Sequence, residues 1–346
     1  MNLHTSTLKI ASLVFLIALT FQSCKKKKDD TVSLPITGTW ESLTDTTYKY
    51  LVFKDDNTVT ALRQGAYGIH TASINPFTAD GEQLISSLSG GSSQLFNYRV
   101  SNDTLYLENV GAYLVFKKNN GVTTDGWTKK VTTLATHPLG SGAWFGALEW
   151  DGSSFLISSS FAHKVYKVSP ASFAVTDSVA VSQKGSGIAY LSGSTWLNDY
   201  GVDKKLHTVD ISTGATTFDG SACTETPLML ATQGSNILVF TNGPSLYEYN
   251  TGGNSFTLLQ NLPGFGLTGG GIPPDMVVKD GYAYLAAGPY ILKFDLSTYQ
   301  VVDTYLSDTQ LQIGIAYDGT DFYTLGISLD GGLSDLNVTI RKVQLQ

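Results

Sequence analysis

Residues 146–346 repeat one pattern of apolar and polar positions five times. Each copy has a short apolar run, a polar turn that ends in glycine, an apolar strand, a loop, and a third strand that ends in Ser, Asp, Asn or Gln. The turn glycines are spaced 41, 41, 47 and 38 residues apart: Gly152, Gly193, Gly234, Gly281 and Gly319. A period near 40 residues that contains several short strands is typical of a β-propeller. The pattern therefore predicts five blades.

The last repeat reaches only its third strand, at 338–344. Residues 127–134, before the first repeat, alternate like an outer strand but have no blade of their own. Pairing of these two segments would leave no long unpaired edge in the ring. We therefore predict that 126–346 is a five-bladed propeller closed by an N-terminal outer strand. A sixth blade would need a further polar-Gly turn, which this stretch lacks at the right spacing.

Residues 37–120 have the alternation and turns of antiparallel hairpins. Strands are predicted on either side of the Asp/Asn turns at 54–57 and 101–103, with a closing strand at 112–118. This length predicts a small barrel or half-barrel with fewer than eight strands and little room for a ligand. The segment 65–91 is compatible with a loop and with an added strand. The fold class is therefore all-β throughout.

Composition and charge narrow the classes of partner. The net charge of −7 provides no large positive field, so nucleic acid is not expected as a partner. The chain has only two cysteines, Cys24 and Cys223, and we expect no internal disulfide. We also expect a monomer.

Residues 1–23 are typical of an export signal, because Lys9 precedes an apolar run, 10–21, that is short for a membrane-spanning helix. The run ends at Ser23-Cys24, which resembles the looser lipoprotein signal of Bacteroidota. This resemblance implies that Cys24 is acylated and becomes the first residue of the mature chain. Ordinary secretion with a free Cys24 is the alternative.

Residues 24–36 would then be the lipidated cysteine and a charged tether. Lys25–Lys28 with Asp29-Asp30 resemble the tag that sends Bacteroidota lipoproteins to the outer face of the outer membrane. A solvated charge run is the alternative. The membrane is thus an expected partner through the lipid, because more than one acyl chain gives stable anchoring. We expect the protein at the outer membrane, on either its periplasmic or its outer face.

Two further resemblances concern the folded parts. Gly38-Thr39-Trp40 and the hairpin 98–107 resemble the lipocalin-like domains of Bacteroidota lipoproteins. The segments 210–214 and 295–298 resemble the YVTN, NHL and quinoprotein-type propeller repeats. Such propellers include binding proteins and several classes of enzyme, so the resemblance implies a fold and not a function.

In a propeller, the connections between second and third strands and those between blades gather on one face. The residues that these connections place there include aromatic, amide and acidic side chains: Trp144, Phe145, Phe161, His163, Asn198, Asp199, Tyr200, Asn242 and Tyr290. Aromatic rings with polar groups at their edges suit a glycan or a peptide. This pattern favours a binding module. The alternative is that these side chains pack on their own blades.

An enzyme, glycan-cleaving or lactonase-like, would instead use carboxylates near the axis, and Glu149, Asp199 and Asp275 are the candidates. Glycoside hydrolysis needs a carboxyl pair at a defined separation, which sequence does not give. A structural envelope protein that binds other proteins is a third hypothesis. The histidines are singly placed, so the sequence predicts no metal site, and it contains no cofactor motif.

Overall fold

The computed structural model describes residues 36–44, 48–65, 68–86, 88, 93–119, 129–141, 146–200, 203–218, 220–263, 265, 275–288, 290–307, 311–328 and 337–345. The regular secondary structure of these ranges consists of β-strands. None of them contains a helix long and apolar enough to cross a membrane. The all-β prediction is confirmed.

The amino-terminal strands form a closed antiparallel barrel, in which each strand pairs with the next and the last pairs with the first. Its eight strands are β1 (Gly38–Ser42), β2 (Tyr50–Phe53), β3 (Thr58–Gly65), β4 (Gly68–Ala79), β5 (Gln83–Ser86), β6 (Gln94–Ser101), β7 (Thr104–Asn109) and β8 (Ala112–Lys118). The half-barrel alternative and the expectation of fewer than eight strands are wrong. The segment 65–91 supplies β4 and β5, which complete the circle.

Large apolar side chains fill the interior of the barrel. Trp40, Phe53 and Phe116 are almost completely buried there, and the indole N–H of Trp40 donates a 2.6 Å hydrogen bond to the carbonyl of Ile36. Along β5, exposed and buried positions alternate as in a strand with one face on a core. The barrel therefore has a packed interior of its own.

The other strands form five blades, each with its strands in order from the inside to the outside of the ring. Blade 1 contains β10 (Leu148–Trp150), β11 (Phe155–Ser159), β12 (Lys164–Val168) and β13 (Val175–Ala180), and blade 2 contains β14 (Ile188–Leu191), β15 (Ser194–Asn198), β16 (Leu206–Val209) and β17 (Thr216–Thr217). Blade 3 contains β18 (Pro227–Gln233), β19 (Asn236–Thr241), β20 (Ser245–Asn250) and β21 (Ser255–Asn261), and blade 4 contains β22 (Asp275–Lys279), β23 (Tyr282–Ala287), β24 (Tyr290–Asp295) and β25 (Gln300–Leu306). Blade 5 contains β26 (Leu311–Tyr317), β27 (Phe322–Ser328), β28 (Asn337–Leu345) and, as its outer strand, β9 (Lys129–Ser141).

The ring is closed by β9, as the sequence predicts. β9 pairs antiparallel with β28, from Asn337 opposite Ser141 to Leu345 opposite Val131. The strand continues past the predicted end at residue 134, so His137 lies within it and stacks on Phe173 with ring centroids 3.7 Å apart. The two ends of the propeller are thus joined by a strand that precedes the first blade.

Apolar clusters lie between neighbouring blades and hold the ring together. Each cluster of the propeller draws its side chains from two adjacent blades. Between blades 5 and 1, for example, Leu148 and Phe155 pack against Ile313 and Leu325. The core is therefore a circle of interfaces between blades, and the blades depend on one another for burial.

Gly314 lets the inner strands of blades 5 and 1 approach closely. A Cβ atom at this position would lie 2.9 Å from the Cβ atoms of both Leu148 and Leu325. The first contact is between blades and the second is within blade 5. Because strand backbones surround the site, the neighbours cannot move aside without shifting the interface.

We expect Gly314→Ala to lower the free energy of unfolding by about 1 to 3 kcal/mol, the usual effect of overpacking. Gly252→Ala is the matched control, because its nearest contact would be a side-chain oxygen of Asn250 at 3.5 Å. Urea unfolding of both variants measures the difference. Equal midpoints for the two variants would contradict this account of the blade interface.

Candidate functional site

Asp275, at the start of inner strand β22, connects three blades. It is fully buried, and its Oδ2 accepts hydrogen bonds from the backbone N–H groups of Leu148 in blade 1 (2.8 Å) and Ile315 in blade 5 (2.9 Å). Its Oδ1 has no hydrogen-bond partner within the described part of the chain. Burial, with a smaller effect of the Glu149 charge, raises the pKa of Asp275 well above its usual value. The environment therefore favours the protonated carboxyl group more than water does.

Glu149, on inner strand β10, reaches the inner strand of the next blade. Its Oε1 accepts a 2.8 Å hydrogen bond from the N–H of Trp150, and its carboxyl group also hydrogen-bonds to the backbone of Tyr190. Burial raises the pKa of Glu149 to about 7, against the opposing effect of these two bonds. A carboxyl group with this pKa can release or accept a proton near neutral pH.

Glu149→Gln tests the raised pKa of this group. A glutamate with an ordinary pKa of 4.5 that rises to about 7 on folding stabilises the fold below 4.5, and this stabilisation is lost as the pH rises through about 7. We therefore expect the free energy of unfolding of the variant, relative to the wild type, to rise by about 2 to 3 kcal/mol between about pH 5 and pH 8. Urea unfolding at both pH values measures this change.

Asp210→Asn is the matched control, because folding lowers the pKa of Asp210 and raises that of Glu149. Asp210 is an exposed turn residue, and its pKa is lowered to about 2, chiefly by hydrogen bonds from the hydroxyl and backbone of Ser212. Its stabilising effect is present above its ordinary pKa of 3.8 and is lost as the pH falls through about 2. The control should therefore leave the difference between pH 5 and pH 8 unchanged. The same result for Glu149→Gln would show that the pKa of Glu149 is not raised in solution.

Asn198, the last residue of β15, joins blade 2 to blade 3. It is fully buried, and its Oδ1 accepts hydrogen bonds from the N–H groups of Ser186 and Gly187 at 2.9 and 2.8 Å. Its Nδ2 donates to the carbonyl of Pro227 at 2.7 Å. The amide of Asn198 is therefore committed to the contact between two blades.

We expect Asn198→Ala to lower the free energy of unfolding by about 2 to 4 kcal/mol, because it leaves buried N–H and C=O groups without partners. Asn242→Ala is the control on the same face: Asn242 is exposed, and its Oδ1 accepts one 3.2 Å hydrogen bond, from the N–H of Thr226. Thermal unfolding compares the two. A larger loss in Asn242→Ala would contradict the role assigned to Asn198.

The connections between second and third strands lie on one face of the ring, here termed the loop face. On it, Phe161 follows β11 in blade 1 and is 70% exposed, and Tyr200 follows β15 in blade 2 and is 44% exposed. Asp199, beside Tyr200, is buried, and its Oδ1 accepts a 3.1 Å hydrogen bond from the N–H of Lys184. The loop face thus presents aromatic rings from two adjacent blades.

The connection from β13 to β14 brings these two loops together. The N–H of Val181 donates to the carbonyl of His163 at 2.9 Å, and the N–H of Tyr200 donates to the carbonyl of Lys184 at 3.2 Å. Val181 and Lys184 are separated by a stretch of chain that spans at most about 10 Å. The loops that carry Phe161 and Tyr200 are therefore neighbours.

The remaining predicted site residues have different environments. Tyr290 is partly buried at the start of β24 and packs against the core between blades 3 and 4. His163 is partly buried and has a positive φ of 50° in its turn. The residues outside the described ranges are Cys24, Trp144 and Phe145.

Three metal-ligating side chains lie close together in blade 2, and their ligand atoms are all within 4.8 Å of one another: Asp199, Asp203 and His207. Nε2 of His207 lies 3.1 Å from Oδ2 and 3.3 Å from Oδ1 of Asp203. The sequence predicts no metal site because His207 has no second histidine nearby. The overlooked signal is the regular spacing of these three residues across the connection between β15 and β16.

A groove of ≈ 730 Å³ lies on the opposite face, between the turns of blades 1 and 2. Its lining includes Asp151, Lys167, Tyr190 and Asp210, together with several Ser and Thr residues. Lys167 and Asp151 approach to 3.9 Å across it. None of the site residues predicted from the sequence lines this groove.

No protein-family model matches the sequence. The curated proteins contain no significant match either. Among solved structures, the chain is similar to glutaminyl cyclase of Myxococcus xanthus, with 14% identity, a TM-score of 0.49, and coverage of 64% of this chain and 98% of that one. It is also similar to a gluconolactonase of Xanthomonas campestris, with 11% identity, a TM-score of 0.44, and coverage of 62% of this chain and 90% of that one. A third similar structure is BamB of Moraxella catarrhalis, with 14% identity, a TM-score of 0.30, and coverage of 88% of this chain and 95% of that one. These neighbours are β-propeller proteins. At these identities the similarity concerns the fold alone.

Proposed function

We propose that the chain is a lipid-anchored protein of the cell envelope whose propeller binds a glycan on its loop face. The observation that carries the proposal is the exposure of two aromatic rings, Phe161 and Tyr200, on adjacent loops of a rigid ring. Aromatic faces bind sugar rings through apolar contact, and neighbouring polar groups set the orientation. Asn242, exposed on the next blade, supplies such a group.

The anchor is part of the same proposal. In it, residues 1–23 are a signal peptide, 24–36 the acylated Cys24 and its tether, 37–120 a lipocalin-like domain and 126–346 the propeller. Several acyl chains on one cysteine exceed the threshold for stable attachment to a membrane. The barrel would then hold the propeller away from the outer membrane, where its loop face can meet ligands.

A second candidate function is catalysis by the axial carboxyl groups. It is favoured by the pKa of Glu149 of about 7 and by its electrostatic interaction with Asp275. Both groups, however, accept hydrogen bonds from backbone N–H groups of inner strands. This bonding stabilises the ring without any reaction, so binding is the function that the geometry supports better.

We expect a Phe161→Ala/Tyr200→Ala double variant to bind a glycan roughly tenfold or more weakly than the wild type, because two stacking surfaces are lost. Residues 25–346 would be applied to a glycan and peptide array, and titrations with the strongest hit would give the dissociation constants. Val175→Ala is the matched control, since Val175 is exposed on outer strand β13, away from the loops. Lys167→Ala tests whether the glycan binds instead in the groove on the opposite face, which Lys167 lines.

Loss of affinity in Lys167→Ala alone would move the site to the groove and contradict the proposal. Binding restricted to peptides would replace the glycan with a peptide partner. Cleavage of an arrayed glycan that Glu149→Gln abolishes would favour the enzyme.

A further inference from the structure

The connection between β15 and β16 holds an Asp-Asp-His cluster that the proposed glycan site does not use. Asp199 follows β15, Asp203 precedes β16, and His207 is the second residue of β16. Their ligand atoms lie within 4.8 Å of one another, so small side-chain movements would bring all three within bonding distance of one cation. Asp199 and His207 are each only 8% exposed.

The two carboxylates of the cluster have few ionic partners. Within the described ranges, neither forms an ion pair with a lysine or arginine, and Asp203 pairs with His207. A bound cation would pair with both carboxylates.

One carboxylate oxygen of the cluster is not engaged by the described part of the chain. Asp199 is only 8% exposed, and its Oδ1 accepts a hydrogen bond from the N–H of Lys184. Its Oδ2 accepts none from a residue that the structure describes, so this oxygen is available to a ligand outside the chain.

We propose that Asp199, Asp203 and His207 bind Zn²⁺. An imidazole with two carboxylates is a zinc ligand set, and a water molecule would complete four-coordination. Ca²⁺ and Mg²⁺ prefer sites built from oxygen ligands alone. The ligands are already oriented by backbone groups, since the N–H of Lys184 holds Asp199 and the N–H of Lys205 holds Asp203 at 3.0 Å.

Zinc at this position would fix the loop that carries Tyr200. The metal would tie Asp199, at the end of β15, to Asp203 and His207 at the start of β16, so both ends of the connection would be held at one point. The zinc site does not depend on the glycan proposal. It can be tested with the metal alone.

Isothermal titration of ZnCl₂ into chelator-treated 25–346 is the test. We expect binding of one Zn²⁺ per chain, and an affinity at least tenfold lower in each of Asp203→Asn and His207→Gln. Asp210→Asn is the matched control, because it removes a carboxylate from the same blade outside the cluster. Its affinity should equal that of the wild type. Zinc should also raise the thermal midpoint of the wild type and not that of the two ligand variants.

Asp203 is more exposed than His207, so Asp203→Asn should fold even if His207→Gln does not, and circular dichroism checks both. The absence of zinc binding to the wild type would overturn the proposal. So would retention of full affinity in a folded Asp203→Asn variant. Binding of CaCl₂ without binding of ZnCl₂ would also overturn it, because imidazole is a poor ligand for calcium.

Discussion

The inner strands of the propeller have one edge without a partner strand, and the N–H groups on that edge need acceptors. Side chains supply them. Asp275 accepts from Leu148 and Ile315, and Glu149 accepts from Trp150 and the backbone of Tyr190. The acids at the axis therefore satisfy a requirement of the fold itself. The stability of the ring depends on this, because each buried N–H group without an acceptor would cost free energy.

The same requirement separates the axis from the loop face in chemical character. At the axis, Asp275 is fully buried and Glu149 is partly buried; the pKa values of both carboxyl groups are raised, and both accept hydrogen bonds from the backbone. On the loop face, aromatic side chains project from short loops that the blade connections hold in place. The aromatic rings are therefore open to solvent, whereas Asp275 is engaged in hydrogen bonds between blades.

The fold could be predicted where its signals are local. The turn glycines and the alternation of 127–134 lie within single segments, so the blades and the closing strand followed from them. Strands β4 and β5 could not be predicted in this way, because Gly, Ser and Pro weaken the alternation of their segment. Only their pairing with neighbouring strands identifies them. The role of Asp275 was equally hidden, since its partner Leu148 is 127 residues away in the chain.

The order of the closing strands governs how the propeller can assemble. β9 comes before the first blade, but its partner β28 comes after all the others, and Leu345 pairs with Val131. During synthesis, the first four blades can complete their hairpins while the ring is still open. Contacts between such distant segments form slowly, so we expect ring closure to be the step that limits folding. Until the ring closes, blades 5 and 1 leave uncovered the apolar faces that later pack against each other. We therefore expect the open ring to be the state most prone to aggregation.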